Sequence, residues 1–269
     1  MNFEIHPTAI IEAGTEIGDG CRIGPFCHIG PNVRLGRNNT LHTSVVVDGH
    51  TTIGDDNQIY PFACLGKASQ DLKFRKGWVS YTRIGGNNIF REYATVNASS
   101  TEGGSTVIGN GCLLLSYSHV AHDCVLGDHV IISSDSKMAG HVEIGDHATV
   151  SAKTGIVQFV RIGRFAFVGG FNKVAKDILP YCIADGFPSV IRGINRIGLE
   201  RNGYSAGRVD TIQDAYRAVV RSALPLREAV ASLAERYADV PEVRDMIAFA
   251  AASKVGLARP RRRGAIAEP

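Results

Sequence analysis

The sequence predicts a mainly β protein, a parallel β-helix of six-residue repeats closed at its C-terminal end by an α-helical cap. Three observations carry this: an apolar residue recurs every six positions, the composition is glycine-rich and aromatic-poor, and the apolar spacing turns helical near residue 206. Glycine accounts for 30 of 269 residues and aromatics for 7%, as a repetitive backbone around a thin core requires. With 44% hydrophobic and 20% charged residues, the chain has enough apolar surface to bury a core, which excludes disorder.

The period begins at Ile5 and runs through Ile11, Ile17, Ile23, Ile29, Leu35, Leu41, Val47, Ile53 and Ile59 to Leu65. It resumes at Ile84, Phe90 and Val96, and again from Ile108 without a break to Val174. Many of these residues are followed by glycine, which suits a tight approach or a positive φ near a corner. Three hexads per turn give 18-residue coils stacked about 4.8 Å apart, as in any sheet. The position two before the inward residue is usually small, so Cys21, Cys27, Cys112 and Cys124 read as core fillers rather than redox groups. None of the six cysteines forms a C-x-x-C pair, which argues against a zinc ribbon.

The period is interrupted at 66–83 and 97–107, two loops that leave a rigid scaffold and are therefore candidates for function. These loops belong to a first domain spanning 1–177. A second, helical domain is expected over 178–258. Its apolar spacing runs through Ile212, Ala215, Tyr216, Val219, Val220 and Ala223, and Pro225 and Pro241 divide it into two or three helices. Residues 259–269 are expected to be a basic, disordered tail; their charge equals the whole net charge of +3. The body is therefore neutral, and no nucleic-acid partner is expected. No apolar run is long enough for a transmembrane segment and no signal peptide is evident, so a cytoplasmic location is expected.

An 18-residue coil also allows neighbours to be computed. His122, Gly140 and Gln158 fall in one column, Asp123 and His141 in the next, with His119 one corner step before His122. The remaining histidines, His129 and His147 among them, read as single. Three readings of the patch stay open. His122 can act as a general base with the Gly140 N–H holding an oxyanion. The three histidines can instead bind Zn²⁺ with an open fourth position, or they can be solvated corner residues.

The motifs IHPTAII, NQIYPFACLG, QDLKF, SHVAHDC, MAGH, VQFVRIG and GINRIGLERNGYS make the whole chain resemble the acyl-[acyl-carrier-protein]–UDP-N-acetylglucosamine O-acyltransferases that start lipid A synthesis. The resemblance implies a left-handed parallel β-helix of hexapeptide repeats, assembled as a homotrimer with active sites between subunits. It places His122 as the catalytic base, with Gly140 as oxyanion donor and Asp123 beside it. His119, His141 and Gln158 fall on the active-site wall, Asp71 and Lys73 on the sugar-contacting loop, and Asn195 and Arg201 on the nucleotide or pantetheine side. Gly170 falls at the bottom of the acyl groove.

The implied reaction moves a 3-hydroxyacyl chain from acyl carrier protein to the 3-position of a UDP-amino sugar. The phosphopantetheine arrives on the carrier, so no cofactor or metal is expected. Four positions depart from the family pattern: Asn97 and Val157 stand where histidine is usual, Ile197 replaces a glutamate and Asn202 an arginine. All four lie on the nucleotide-sugar side. Acyl transfer is expected to be kept, with weak use of UDP-N-acetylglucosamine and better use of a variant such as a 3-amino analogue. The rival classes are a γ-carbonic-anhydrase-like zinc enzyme and a non-catalytic scaffold.

Overall fold

The computed structural model describes residues 3–221, 225–237 and 239–260. Its core is a three-faced coil in which short parallel strands stack into sheets of 11, 9 and 8 strands. Pairing follows the 18-residue offset, as in Glu4–Ile5 against Arg22–Ile23 and His119–Val120 against Lys137–Met138. The second residue of each two-residue strand points inward. From Ile23 to Val174 these inward residues are at most 4% exposed, while Ile5, Ile11 and Ile17 at the open N-terminal end are only partly buried.

Most faces turn into the next at a corner whose third residue after the inward one is left-handed, as at Asn38, Asp56, Asp123, His129 and His141 (φ 56° to 61°). Short polar side chains and histidine tolerate this conformation best. The glycine that follows the inward residue has a different task. A Cβ on Gly18 would lie 2.5 Å from the Gly36 carbonyl of the next coil, so close approach, not φ, selects glycine there. Cys21, Cys27, Cys112 and Cys124 are buried, and their thiols donate to carbonyls at 2.8–3.2 Å. Burial pushes the Cys124 thiol up to about 12 and Cys112 to about 11, which suits filler rather than nucleophile.

Both interruptions are shorter than the sequence suggests. Strands Cys64–Lys67 and Tyr81–Ile84 narrow the first to 68–80, and Thr95–Asn97 and Ser105–Ile108 narrow the second to 98–104. Tyr81–Ile84 pairs on both sides, with His50–Ile53 and Ser105–Ile108, so ladder bonds draw the loop ends into the sheet.

The segment from 178, expected to be helical, opens instead with β structure. Cys182–Asp185 continues the first sheet beside Phe167–Val168, and Val190–Ile194 returns antiparallel to it. The open sheet edge above the last coil is a template that these β-branched residues satisfy. Helices follow: α1 (Arg196–Arg201), α2 (Ala206–Tyr216) running into a π-helical turn at Arg217–Arg221, α3 (Leu226–Arg236) and α4 (Pro241–Ala251). Helix α1 was not expected. Pro241 starts α4 at its first turn, where a missing N–H is harmless. Buried Asp177 ties the end of the chain back, accepting from Arg161 N at 2.8 Å and Ser253 Oγ at 2.7 Å. Ala223 and the tail residues 261–269 lie outside the described residues. Among the described residues, no helix is long and apolar enough to cross a membrane.

Candidate active site

The corner between the second and third faces carries the column computed from the sequence. His122 is 7% exposed, and its backbone carbonyl accepts from His141 N on the next coil at 3.0 Å. Its ring lies against Gly140. A Cβ at 140 would meet Nε2 at 2.5 Å and Nδ1 at 2.7 Å and would collide with Cε1, so only glycine lets the imidazole lie there. His122 Nδ1 is 2.8 Å from Asp123 Oδ2. An ionised carboxylate only accepts, so Nδ1 carries the proton and Nε2 is left with its lone pair. Nε2 faces Asp71 Oδ2 at 3.5 Å.

Asp123 is fixed by more than His122. Ser99 Oγ donates to its Oδ1, while Ser100 N (3.0 Å) and Ser100 Oγ (2.7 Å) donate to Oδ2. Burial alone would push this carboxyl up, but the bonds from Ser99, Ser100 and His122 outweigh it and hold it at about 2. Asp71 sits in a local turn of the first insertion: Ser69 Oγ accepts from Asp71 N at 3.1 Å, and Asp71 Oδ1 accepts from Lys73 N at 2.8 Å. Lys73 itself is exposed.

His119 does not join His122 and His141 in a three-histidine set. His119 is half-buried with Nδ1 2.7 Å from Thr95 Oγ1. Burial, helped by Lys137 and His122, lowers its basicity. The groups with ligand atoms within 4.8 Å of one another are His122, Asp123 and His141, and Asp123 is already held by four hydrogen bonds. The expectation that His129 and His147 are single also fails. Their rings stack with centroids 4.7 Å apart, and their spacing of 18 residues was the available signal.

Comparison with known proteins shows which family the chain belongs to. Residues 177–258 match the family described as "Udp N-acetylglucosamine O-acyltransferase; Domain 2", and residues 2–31, 14–49 and 105–140 match "Bacterial transferase hexapeptide (six repeats)". The acyl-[acyl-carrier-protein]–UDP-N-acetylglucosamine O-acyltransferase of Anaeromyxobacter sp. (strain K) is 44% identical over 256 residues, covering 95% of this chain and 99% of the relative. The chain belongs to this O-acyltransferase family. A second O-acyltransferase, from Thermodesulfovibrio yellowstonii, is 39% identical over 257 residues, with 95% and 99% covered. The Francisella novicida UDP-N-acetylglucosamine acyltransferase structure superposes with a TM-score of 0.93 at 32% identity, covering 96% of this chain and 94% of that one. The Moraxella catarrhalis structure gives 0.92 at 38%, with 95% and 99% covered. The coil is thus the left-handed parallel β-helix of the O-acyltransferases.

Of the remaining residues that the O-acyltransferase pattern singles out, Gln158 shares the column and the others lie elsewhere on the prism. Gln158 continues the His122–Gly140 column and is half-buried. Gly170 sits at the opposite edge of the second face, three rungs or about 14 Å further up. A Cβ there would meet only Ala152 O at 3.2 Å and Ser151 Cβ at 3.9 Å. Asn195 lies on the third edge. Its Nδ2 donates to Phe165 O at 2.9 Å, and its Oδ1 accepts from Gly198 N at 3.1 Å, which caps α1. Arg201 ends α1, exposed and with no carboxylate partner among the described residues. One chain therefore does not bring Asn195 and Arg201 to His122.

Of the four departures from the O-acyltransferase pattern, Asn97 is committed inward and Asn202 is exposed but tied to its own helix end. Asn97 is 5% exposed and donates to Ala68 O at 3.3 Å; Asn202 donates to Gly198 O at 2.8 Å. Val157 and Ile197 are exposed, at 41% and 64%.

Proposed function

We propose that this protein transfers a 3-hydroxyacyl chain from acyl carrier protein to the 3-hydroxyl of UDP-N-acetylglucosamine, the first step of lipid A synthesis. The observation that carries the reading is the His122 imidazole, fixed at Nδ1 by Asp123 and lying against Gly140, with Nε2 3.5 Å from Asp71 on the sugar-contacting loop. In this reading, Nε2 takes the proton of the sugar hydroxyl as its oxygen attacks the thioester carbonyl. The Gly140 N–H, which has no acceptor among the described residues, donates to the oxyanion. Collapse expels the pantetheine thiolate, which takes the proton back from His122. The Asp123 carboxylate stabilises the imidazolium in between without accepting its proton. No dissociable cofactor or metal enters these steps.

The working unit is a homotrimer. What supports this is the division of the site: the base lies on the second edge of the prism, and Asn195 and Arg201 lie on the third. Joining the second edge of one subunit to the third edge of another completes it. A carrier-linked donor and a nucleotide sugar place the enzyme in the cytoplasm.

A second acceptor, a 3-amino analogue of the sugar, is the alternative, because Asn97 and Val157 stand where the resemblance puts histidine on the sugar side. Missing charge-assisted contacts weaken binding by roughly 1.5–3 kcal/mol each. Of the cations at hand, Arg196 and Arg208 already pair with Asp210 and Glu242, and Lys153 lies 3.7 Å from Asp135. Arg192 has no carboxylate partner among the described residues. Measuring kcat/KM for both acceptors with one acyl carrier decides between them. Exclusive use of UDP-N-acetylglucosamine removes the amine reading, and turnover of neither sinks both. Full activity in a monomer, checked by light scattering, would refute the shared site.

A further inference from the structure

The second insertion, 98–104, reaches across to the carboxylate beside His122. We propose that Ser99 and Ser100 are positioning residues for acyl transfer: they clamp Asp123 so that His122 presents Nε2 to the acceptor. The inference rests on the reading of His122 as the base.

The hydrogen-bond count supports a clamp. Asp123 Oδ1 takes the Ser99 hydroxyl, and Oδ2 takes Ser100 N, Ser100 Oγ and His122 Nδ1. The Asp123 backbone N–H is held as well, by Thr106 Oγ1 at 2.8 Å. Ser99 and Thr106 are fully buried, so these donors and acceptors do not exchange freely with water. Ser99 Oγ accepts from Thr101 N at 3.0 Å, and of the two acceptors for its single proton, the Asp123 carboxylate is nearer than Thr101 O at 3.3 Å. Gly104 makes room for this, because a Cβ there would collide with Ser99 Oγ and lie 3.2 Å from Ser99 Cβ.

A loop-stapling role accounts for the Ser99–Thr101 bond but not for Ser100. The Ser100 hydroxyl has no partner other than Asp123 among the described residues. Without the clamp, the carboxylate is free to swing toward His141 Nε2, 3.6 Å away. The other titratable groups facing the pair are Asp71, 3.5 Å from His122 Nε2, with His119 and the buried Cys124 thiol nearby.

The test compares Ser99→Ala/Ser100→Ala, Ser100→Thr, Gly104→Ala and His122→Ala with wild type, measuring kcat, KM, pH profile and thermal melting. The double variant is expected to lose 10–100-fold in kcat, as is typical when an outer hydrogen-bond partner is removed, with KM within about twofold. Donors to a carboxylate favour its deprotonated form. Removing them makes the Asp123–His122 pair easier to protonate, so the acid limb of kcat moves to higher pH. Ser100→Thr retains the hydroxyl and restores the wild-type limb, and Gly104→Ala reproduces the shift in part. If the double variant fails to assemble, Ser100→Ala alone decides by the same limb. An unmoved limb with near-normal kcat, in a set where His122→Ala is inactive, overturns the clamp while leaving the base in place. Activity in His122→Ala overturns the base assignment and the clamp with it.

Discussion

Two edges of the same prism carry histidines on successive coils, and they are built differently. On the second edge, His122 and His141 meet edge to face, with centroids 5.3 Å apart and planes at 86°. On the third, His129 and His147 lie nearly flat on one another, and the stack continues to Phe165 at 4.6 Å. A glycine lies against a ring in both columns, Gly140 by His122 and Gly111 by His129. The carboxylate separates them. Asp123 is turned to His122 and clamped there, whereas Asp128 accepts from Asn110 N at 2.6 Å and Asp146 from Asp128 N at 3.0 Å. Neither stacked ring of the third edge is hydrogen-bonded to a carboxylate among the described residues. Histidines on successive coils are therefore not yet a site. A fixed carboxylate that sets the tautomer makes one.

The largest effect expected from breaking this contrast is on rate. His122→Ala should lower kcat/KM by about 10²–10⁴-fold, the range for a lost general base, whereas His147→Ala should stay within about threefold. Equal losses from the two would erase the distinction.

The glycines sharpen it next. Gly140→Ala must move the His122 ring off its seat, and a misplaced catalytic group costs on the order of 100-fold. Gly111→Ala adds a Cβ at φ 65°, which strains the backbone by about 1–3 kcal/mol. It should therefore lower the melting temperature and leave kcat alone. Steady-state assays and melting curves on both variants check this exchange of effects.

The acyl groove gives a smaller effect. Gly170→Met fills the open edge of the second face, and each methylene that can no longer be buried forfeits about 0.8 kcal/mol. The preference for long over short donors should fall about fourfold for each methylene excluded. An unchanged donor profile would put the chain elsewhere.

The smallest effect concerns pH. Burial, with His129 and Arg164 adding positive charge, depresses the His147 imidazole. The unfolded chain then binds a proton that the folded chain resists, so stability falls as pH drops below about 6.5. His147→Phe keeps the stack and removes the proton site. It should flatten the acid side of the melting profile, and a profile as steep as wild type would mean that other groups govern it.

The six-residue period, the three-faced coil and the His122–Gly140–Gln158 column were legible in the sequence because each rung repeats the last. When 18 residues return the chain to the same edge, neighbours follow from subtraction. The same subtraction would have paired His129 with His147. The signal failed where the repeat ends. The hairpin 182–194 and helix α1 answer an open sheet edge and have no period of their own.

The sequence by itself determined the coil, its buried aliphatic column and the histidine that stands over glycine. Only the tertiary structure decided that Ser99 and Ser100, more than 20 residues before Asp123, close on its carboxylate, and that Asn195 and Arg201 lie on a different edge from His122. The reason is physical. Stacking of identical rungs is set by local spacing and backbone hydrogen bonds. Where an insertion folds back, and which edge the chain reaches after its last coil, depend on side chains that meet only when the solenoid is complete.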